Sequence, residues 1–357
     1  MDSSPEPLQR GRDATSPWQM PPLAWKDVAL RVWNESWVDN IGLVAAGVAF
    51  YAFLALVPLL GIVVLIYGLF AAPDTVVQHI LILMRVLPPE AAELIGRLLI
   101  NAIDTSQKTS GVGLAVALAV ALYAGGNGAG AIMTALNIAY EEKEDRSLAR
   151  FYGIAFTITL SGVVLALVAI ASLAAIQSLE RIVPHASNSV VWLGKAGLYL
   201  LMALVAAGVA ATLYRYGPSR EDARWQWLTP GSIFSAVIWL GLSGLFSFYV
   251  TKVTDYNATY GSIAAIVMLL TWLYLSAYVF LFGAELNAEL EHQTARDSTT
   301  GHPERLGERG AWAADHVAGW TDDGTSDGPT LGEAGPPSPA EEPVRQQEAD
   351  AVPRPGE

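Results

Sequence analysis

Five histidines, His79, His185, His292, His302 and His316, are the first residues to test for chemistry, and no two stand at ligand spacing. Cysteine is absent, which excludes disulfides and thiolate metal sites. No HExxH, GxSxG, Walker A loop or GxGxxG opens after a strand. GGNGAG at 125–130 is rich in glycine but lies inside an apolar run, so Gly126 and Gly130 read as a GxxxG pair that lets helices approach closely. No catalytic residue, metal or cofactor is therefore expected, and the chain is not read as an enzyme.

The informative side chains are polar ones placed within or beside apolar runs, where each is costly unless paired or wet. Asn127 and Asn137 are ten residues apart, nearly on one helical face. Each either binds a neighbouring helix or lines a cavity. Tyr256, Asn257 and Tyr260 gather with Asp255 at the start of the last apolar run. They read either as caps and an aromatic belt or as a seat for an anionic group. Glu285 and Asn287 close that run. Glu285 is open to pairing with an arginine such as Arg215, to capping a vestibule, or to solvation at the headgroups.

The elements that must position these residues are long and apolar. Only 15% of the 357 residues are charged and 52% are hydrophobic. An apolar helix of about 20 residues crosses the ~30 Å hydrocarbon layer. Six runs qualify, at about 41–70, 111–139, 151–178, 190–214, 230–250 and 260–286. The fold expected is all-α, a polytopic membrane protein with about six transmembrane helices plus interfacial amphipathic helices. Residues 25–291 form the membrane domain, between a disordered lead at 1–24 and a disordered acidic tail at 292–357. The lead lacks the features of a signal peptide. The tail carries five Lys or Arg against thirteen Asp or Glu, most of the net charge of −13. No basic face suits nucleic acid.

Two stretches read as surface-lying. Trp25, Ala29, Val32, Trp33 and Trp37 recur near helical spacing. That stripe fits a helix in the interface plane or one packed on the membrane domain. In the loop at 75–104, Ala91, Leu94, Ile95, Leu98, Leu99 and Ala102 follow a helical stripe. Lys and Arg are denser on the side of the termini, notably Lys143, Arg146, Arg150, Arg215, Arg220 and Arg224. Both termini are therefore expected in the cytoplasm.

Several of these segments together resemble the YihY/virulence factor BrkB family. They are Asn40 to Pro58, Ala135-Leu-Asn137, the turn from Tyr214 to Pro218, Thr229-Pro-Gly231, Tyr260-Gly-Ser262, and Trp272 to Asn287. The resemblance runs from about Trp25 to Glu291. It implies a six-helix bacterial inner-membrane protein, suspected of moving amphipathic or lipid-linked molecules. Some members carry a historical ribonuclease BN label, which the residues here do not support.

The reading that follows is a transporter or translocation factor, with a cavity lined by Asn127, Asn137, Tyr256, Asn257, Tyr260, Glu285 and Asn287. Its partners are membrane lipids and an amphipathic substrate whose identity stays open, as does the oligomeric state. The alternative is a membrane scaffold that acts through its acidic tail.

Overall fold

The computed structural model describes residues 11–70, 111–182, 188–252 and 262–319, and its long elements are all helices. They are α1 (Pro22–Val38), α2 (Ile41–Phe70), α3 (Gly111–Ala139), α4 (Leu148–Ile182), α5 (Asn188–Tyr216), α6 (Trp225–Lys252), α7 (Ser262–His292) and the short α8 (Trp312–Asp315). Extended pairing among the described residues amounts to one antiparallel bridge, between Ala223 and Thr299.

Helices α2 to α7 run from 28 to 35 residues. At 1.5 Å per residue even the shortest reaches about 42 Å, more than the ~30 Å of hydrocarbon. Among the described residues, Leu148–Leu165, Trp225–Phe246 and Ile266–His292 are long and apolar enough to cross a membrane. Helix α1 and Ile41–Leu56 qualify jointly, bent by 64° at their junction. Much of this apolar surface faces outward, as at Leu43, Leu204 and Leu245. Outward-facing apolar side chains on helices of this length suit lipid and not water.

Helix α7 is the axis of the bundle. It packs on α6, α2, α1 and α3, while α2 packs on α3 and α5 packs on α6. Ile41 and Ala45 of α2, Leu136 and Ala139 of α3, Tyr214 of α5, and Leu281 and Ala284 of α7 share one buried cluster. Helices α6 and α7 cross in close contact at Gly231 and Gly283. A Cβ on Gly231 would strike the Gly283 carbonyl and the Asn287 side chain, and a Cβ on Gly283 would strike Ser235 and, at 2.7 Å, the Tyr214 hydroxyl. Absence of side chains at this point lets the two backbones touch.

Helix α1 packs on the bundle, but mostly through a face other than the expected stripe, of which Val32 is buried while Ala29, Trp33 and Trp37 are exposed. Ala24, Val28, Val32 and Ser36, four residues apart, are buried, the first three in the cluster shared with Leu290 of α7. Trp33 and Trp37 are turned outward and stack edge to face at 6.2 Å. The bend into α2 falls at Asn40, whose φ of 52° is left-handed. Asn tolerates that conformation better than most residues.

The ends of the membrane unit extend past those expected. Residues 11–21 and 293–318, assigned to disordered termini from composition, fold onto the end of the bundle where the termini lie. Thr294 Oγ1 donates to the carbonyls of Arg12 (3.0 Å) and Ala14 (2.7 Å), and the Ala295 N–H donates to Arg12 O. Ser298 Oγ donates to Glu291 Oε2 at 2.7 Å. Arg309 is buried and donates to the carbonyls of Ala314 (2.6 Å) and Ala295 (2.9 Å). Polar composition hid this segment because it is held by hydrogen bonds more than by apolar burial. The acidic stretch from residue 320 and the loop at 75–104 lie outside the described residues.

Candidate functional site: a lateral groove with a charged mouth

Helix α4 packs on α3 and α2, whereas α5 packs on α6. The space between α4 and α5 is left as a groove of about 1990 Å³. Its α4 wall runs from Arg150 to Leu165, about 22 Å of helix, which exceeds half the ~30 Å hydrocarbon thickness.

Small residues open the groove. Gly153 and Gly162 on α4 and Gly208 on α5 would meet nothing within 4 Å if a Cβ were added. The hydroxyls on these walls are satisfied within their own helices. Thr157 Oγ1 donates to Gly153 O at 2.9 Å and Thr212 Oγ1 to Gly208 O at 2.8 Å. The walls therefore offer an apolar, adaptable surface despite their threonines.

The mouth lies at the terminal end and is charged. Arg146 grips Glu144 through two hydrogen bonds, 2.7 and 2.6 Å, and donates to Gly217 O at 2.9 Å. That grip holds the Glu144 carboxyl below the usual carboxylate range. Arg150, one turn into α4, is exposed. Glu221 and Asp222 line the same mouth. Asp222 pairs with Arg215 at 3.4 Å. Arg220 turns inward to Glu291 at 2.6 Å, with both side chains almost fully buried, and sits over the Tyr140 ring at 5.0 Å.

Most of the expected lining residues stand elsewhere. Asn137 is buried, but it fastens loops: its Nδ2 donates to Glu144 at 2.9 Å, and its Oδ1 accepts from the Ser219 N–H at 2.7 Å. Asn287 stitches α7 to the Pro230 region of α6, accepting from the Gly231 N–H at 2.8 Å and donating to Leu228 O at 3.3 Å. Asn127 is half-buried on α3 and does not line the groove. Tyr256, Asn257 and Tyr260 lie outside the described residues. The expected Gly126 and Gly130 pair is split. Gly126 faces open space and Gly130 meets the Phe151 ring, while Gly125 and Gly128 make the close approaches to Thr159 and Ala55.

Glu285 is 2% exposed, so it is neither solvated nor paired with Arg215. Arg215 instead bonds Ala223 O and Asp222 and stacks over Trp225 at 4.9 Å. Around Glu285 gather Asp39, Glu35, Glu289 and Glu141, where the α1 elbow meets the ends of α3 and α7. Arg31 bonds Glu289 at 2.5 Å. Burial pushes Glu141 up to about 8, with Asp39, Glu35 and Glu289 adding to the effect. Burial likewise lifts Asp39, reinforced by Glu289 and opposed by its hydrogen bond with Glu285. Among the described residues, no group of three His, Asp or Glu side chains is placed to hold a metal ion.

The residues that reasoning from sequence missed are those of the groove. Gly153, Thr157 and Ser161 on α4, and Gly208 and Thr212 on α5, recur every four residues. That repeat of small side chains on one face was the available signal.

A bundle of long apolar helices with a folded polar cap finds its match among known proteins over nearly the same span. Residues 32–307 match the family described as virulence factor BrkB. The chain belongs to that family. A relative in Bacillus subtilis, described as a putative ribonuclease-like protein, YfkH, is 32% identical over 52% of this chain and 69% of its own length. A UPF0761 membrane protein of Haemophilus influenzae is 23% identical over 75% of this chain and 97% of its own. A further UPF0761 membrane protein, of Psychromonas ingrahamii, is 26% identical over 73% and 87%. No solved structure matches. The BrkB match ends at residue 307, inside the polar cap, so the family's pattern includes part of the segment that packs beyond α7.

Proposed function

We propose that this BrkB-family membrane protein is a transporter or translocation factor that moves an amphipathic or lipid-linked molecule along the groove between α4 and α5. It is a carrier and not an enzyme. All six long helices cross a bacterial inner membrane, with both termini in the cytoplasm. The observation that carries this reading is the groove itself, uncharged from Gly153 to Leu165, about 18 Å of α4, and charged only at its mouth. That is the polarity profile of a lipid in one leaflet. The orientation is supported by Lys143, Arg146, Arg150, Arg215, Arg220 and Arg224, all at the end where the termini lie.

The test is transbilayer movement of a fluorescent lipid in proteoliposomes that hold the full chain. Gly208→Trp fills open space in the groove. It is expected to lower the rate at least tenfold while leaving the melting curve unchanged. An unaltered rate would remove the groove from the mechanism. A reporter active only outside the cytoplasm, fused at the chain's end, is expected to stay silent. The scaffold alternative is separated by truncation after Gly319: a carrier keeps its activity, and a scaffold loses it.

A further inference from the structure

We infer that the mouth of the groove selects a zwitterionic headgroup carrying a phosphate and a primary amine, that of a phosphoethanolamine lipid, over an anionic lipid without the amine. This rests on the reading of the groove as a lipid path. Several charges at the mouth are already neutralised by the protein. Arg146 is taken by Glu144 and by Gly217 O. Arg220 is taken by Glu291, and Asp222 by Arg215. What is left facing the mouth is unequal on its two walls.

On the α4 wall stand Ser147, the exposed Arg150, and the positive end of a 35-residue helix. Ser147 Oγ already accepts from the Arg150 N–H at 3.4 Å, so the Arg150 guanidinium, aided by the helix dipole, is the group that suits a phosphate. On the opposite wall Glu221 is exposed, and its carboxylate joins no ion pair among the described residues. Its own backbone is pinned, its N–H donating to Gly310 O at 2.9 Å. Asp145 adds a second carboxylate at the seam, where its N–H donates to Ser219 Oγ at 3.3 Å. The seam and the Arg146 bond to Gly217 O hold the two walls together at a fixed place.

A phosphate seated against Arg150 carries its headgroup substituent towards Glu221. A primary ammonium there supplies three donors to a carboxylate. A glycerol headgroup supplies no charge, and it leaves Glu221 and Asp145 repelling a net anionic lipid. The apolar trough below the mouth commits the ligand to a lipid and not to a free headgroup.

The experiment measures equilibrium binding to the full chain in nanodiscs. Phosphatidylethanolamine and phosphatidylglycerol with identical acyl chains compete against a tail-labelled lipid. Phosphatidylethanolamine is expected to bind roughly tenfold tighter, the scale of one charge-assisted contact. Glu221→Gln is expected to remove most of that preference by weakening phosphatidylethanolamine alone, whereas Arg150→Gln weakens both lipids. Both residues are exposed, so unchanged melting curves verify the fold. Equal affinities in the native chain, or equal loss for both lipids in Glu221→Gln, would overturn the headgroup assignment. Gly208→Trp separates this failure from failure of the groove reading. If it displaces both lipids while the headgroups bind equally, only the assignment falls. If it displaces neither, the lipid path falls with it.

Discussion

Glycine is used in opposite ways on the two sides of this bundle. Where α6 crosses α7, Gly231 and Gly283 are pressed against each other's backbone, with Tyr214, Ser235 and Asn287 closing around them. Between α4 and α5, Gly153, Gly162 and Gly208 face empty space. One glycine set removes volume so that two helices meet. The other removes volume where no protein fills it. The lesson is that a small residue in a membrane helix marks either a seam or a passage, and the residues beside it decide which. At the seam the neighbours are buried hydrogen-bonding groups that reach across to another helix. In the passage they are threonines bonded back into their own helix.

Several substitutions would break or sharpen this contrast. The largest effect is expected for Gly283→Val, which drives a side chain into the α6 backbone: no folded protein should be recovered after detergent extraction. Recovery of a native-like melting curve would mean that the seam can open. Arg220→Met is next. It leaves Glu291 buried without its partner and should cost about 3–5 kcal/mol, read as a lowered thermal midpoint. Tyr214→Phe removes the hydroxyl that donates to Phe280 O at 2.7 Å and meets Ser235 Oγ at 2.8 Å. A loss of about 1–3 kcal/mol is expected in the same measurement.

A pH effect should follow, smaller in size. Glu35 and Glu141 have folded-state values raised to about 7 and about 8, in each case first by burial and then by neighbouring carboxylates. The folded protein therefore holds protons that the unfolded chain gives up. The stabilisation is complete below the ordinary carboxylate value of 4.5 and is lost as pH rises through about 7 to 8. Midpoints should fall between pH 5 and pH 8.5, and Glu141→Gln should flatten that fall. At the bottom of the scale is Gly208→Ala, for which no change in stability is expected. A marked loss there would show that the passage is a seam after all.

Much of the helical frame was legible in the sequence, because long uncharged runs leave few alternatives. The expected run at 41–70 coincides with α2, and that at 111–139 with α3. The run at 151–178 falls inside α4, and that at 260–286 coincides with α7 from Ser262 onward; the far ends of both helices carry charged or polar turns beyond the apolar stretch. The sites were less legible. Asn137 and Asn287 stood out in the sequence as candidate cavity lining, but periodicity shows a face and not the partner on it. Both turned out to satisfy backbone groups. Glu285 was placed near the end of its helix, yet its neighbours Asp39, Glu35 and Glu141 come from segments 140 to 250 positions away in sequence, which spacing cannot reveal. Arg146 and Arg150 were read only as markers of orientation. Their place at the mouth depends on α4 and α5 standing apart, a consequence of which helices pack and not of either helix alone.

The contact between Thr294 and the carbonyls of Arg12 and Ala14 joins residues 282 and 280 positions apart. It has a consequence for biogenesis. At about 5–20 residues per second of synthesis, the first segment waits roughly 14 to 56 s for its partner. Until then the Arg12 and Ala14 carbonyls have no native donor, even though every long helix of the bundle has already been made. The closing knot is tied last, so a polypeptide cut short near residue 292 would enter the bilayer complete in its helices and still display an unfinished end, a mark that a membrane protease can read.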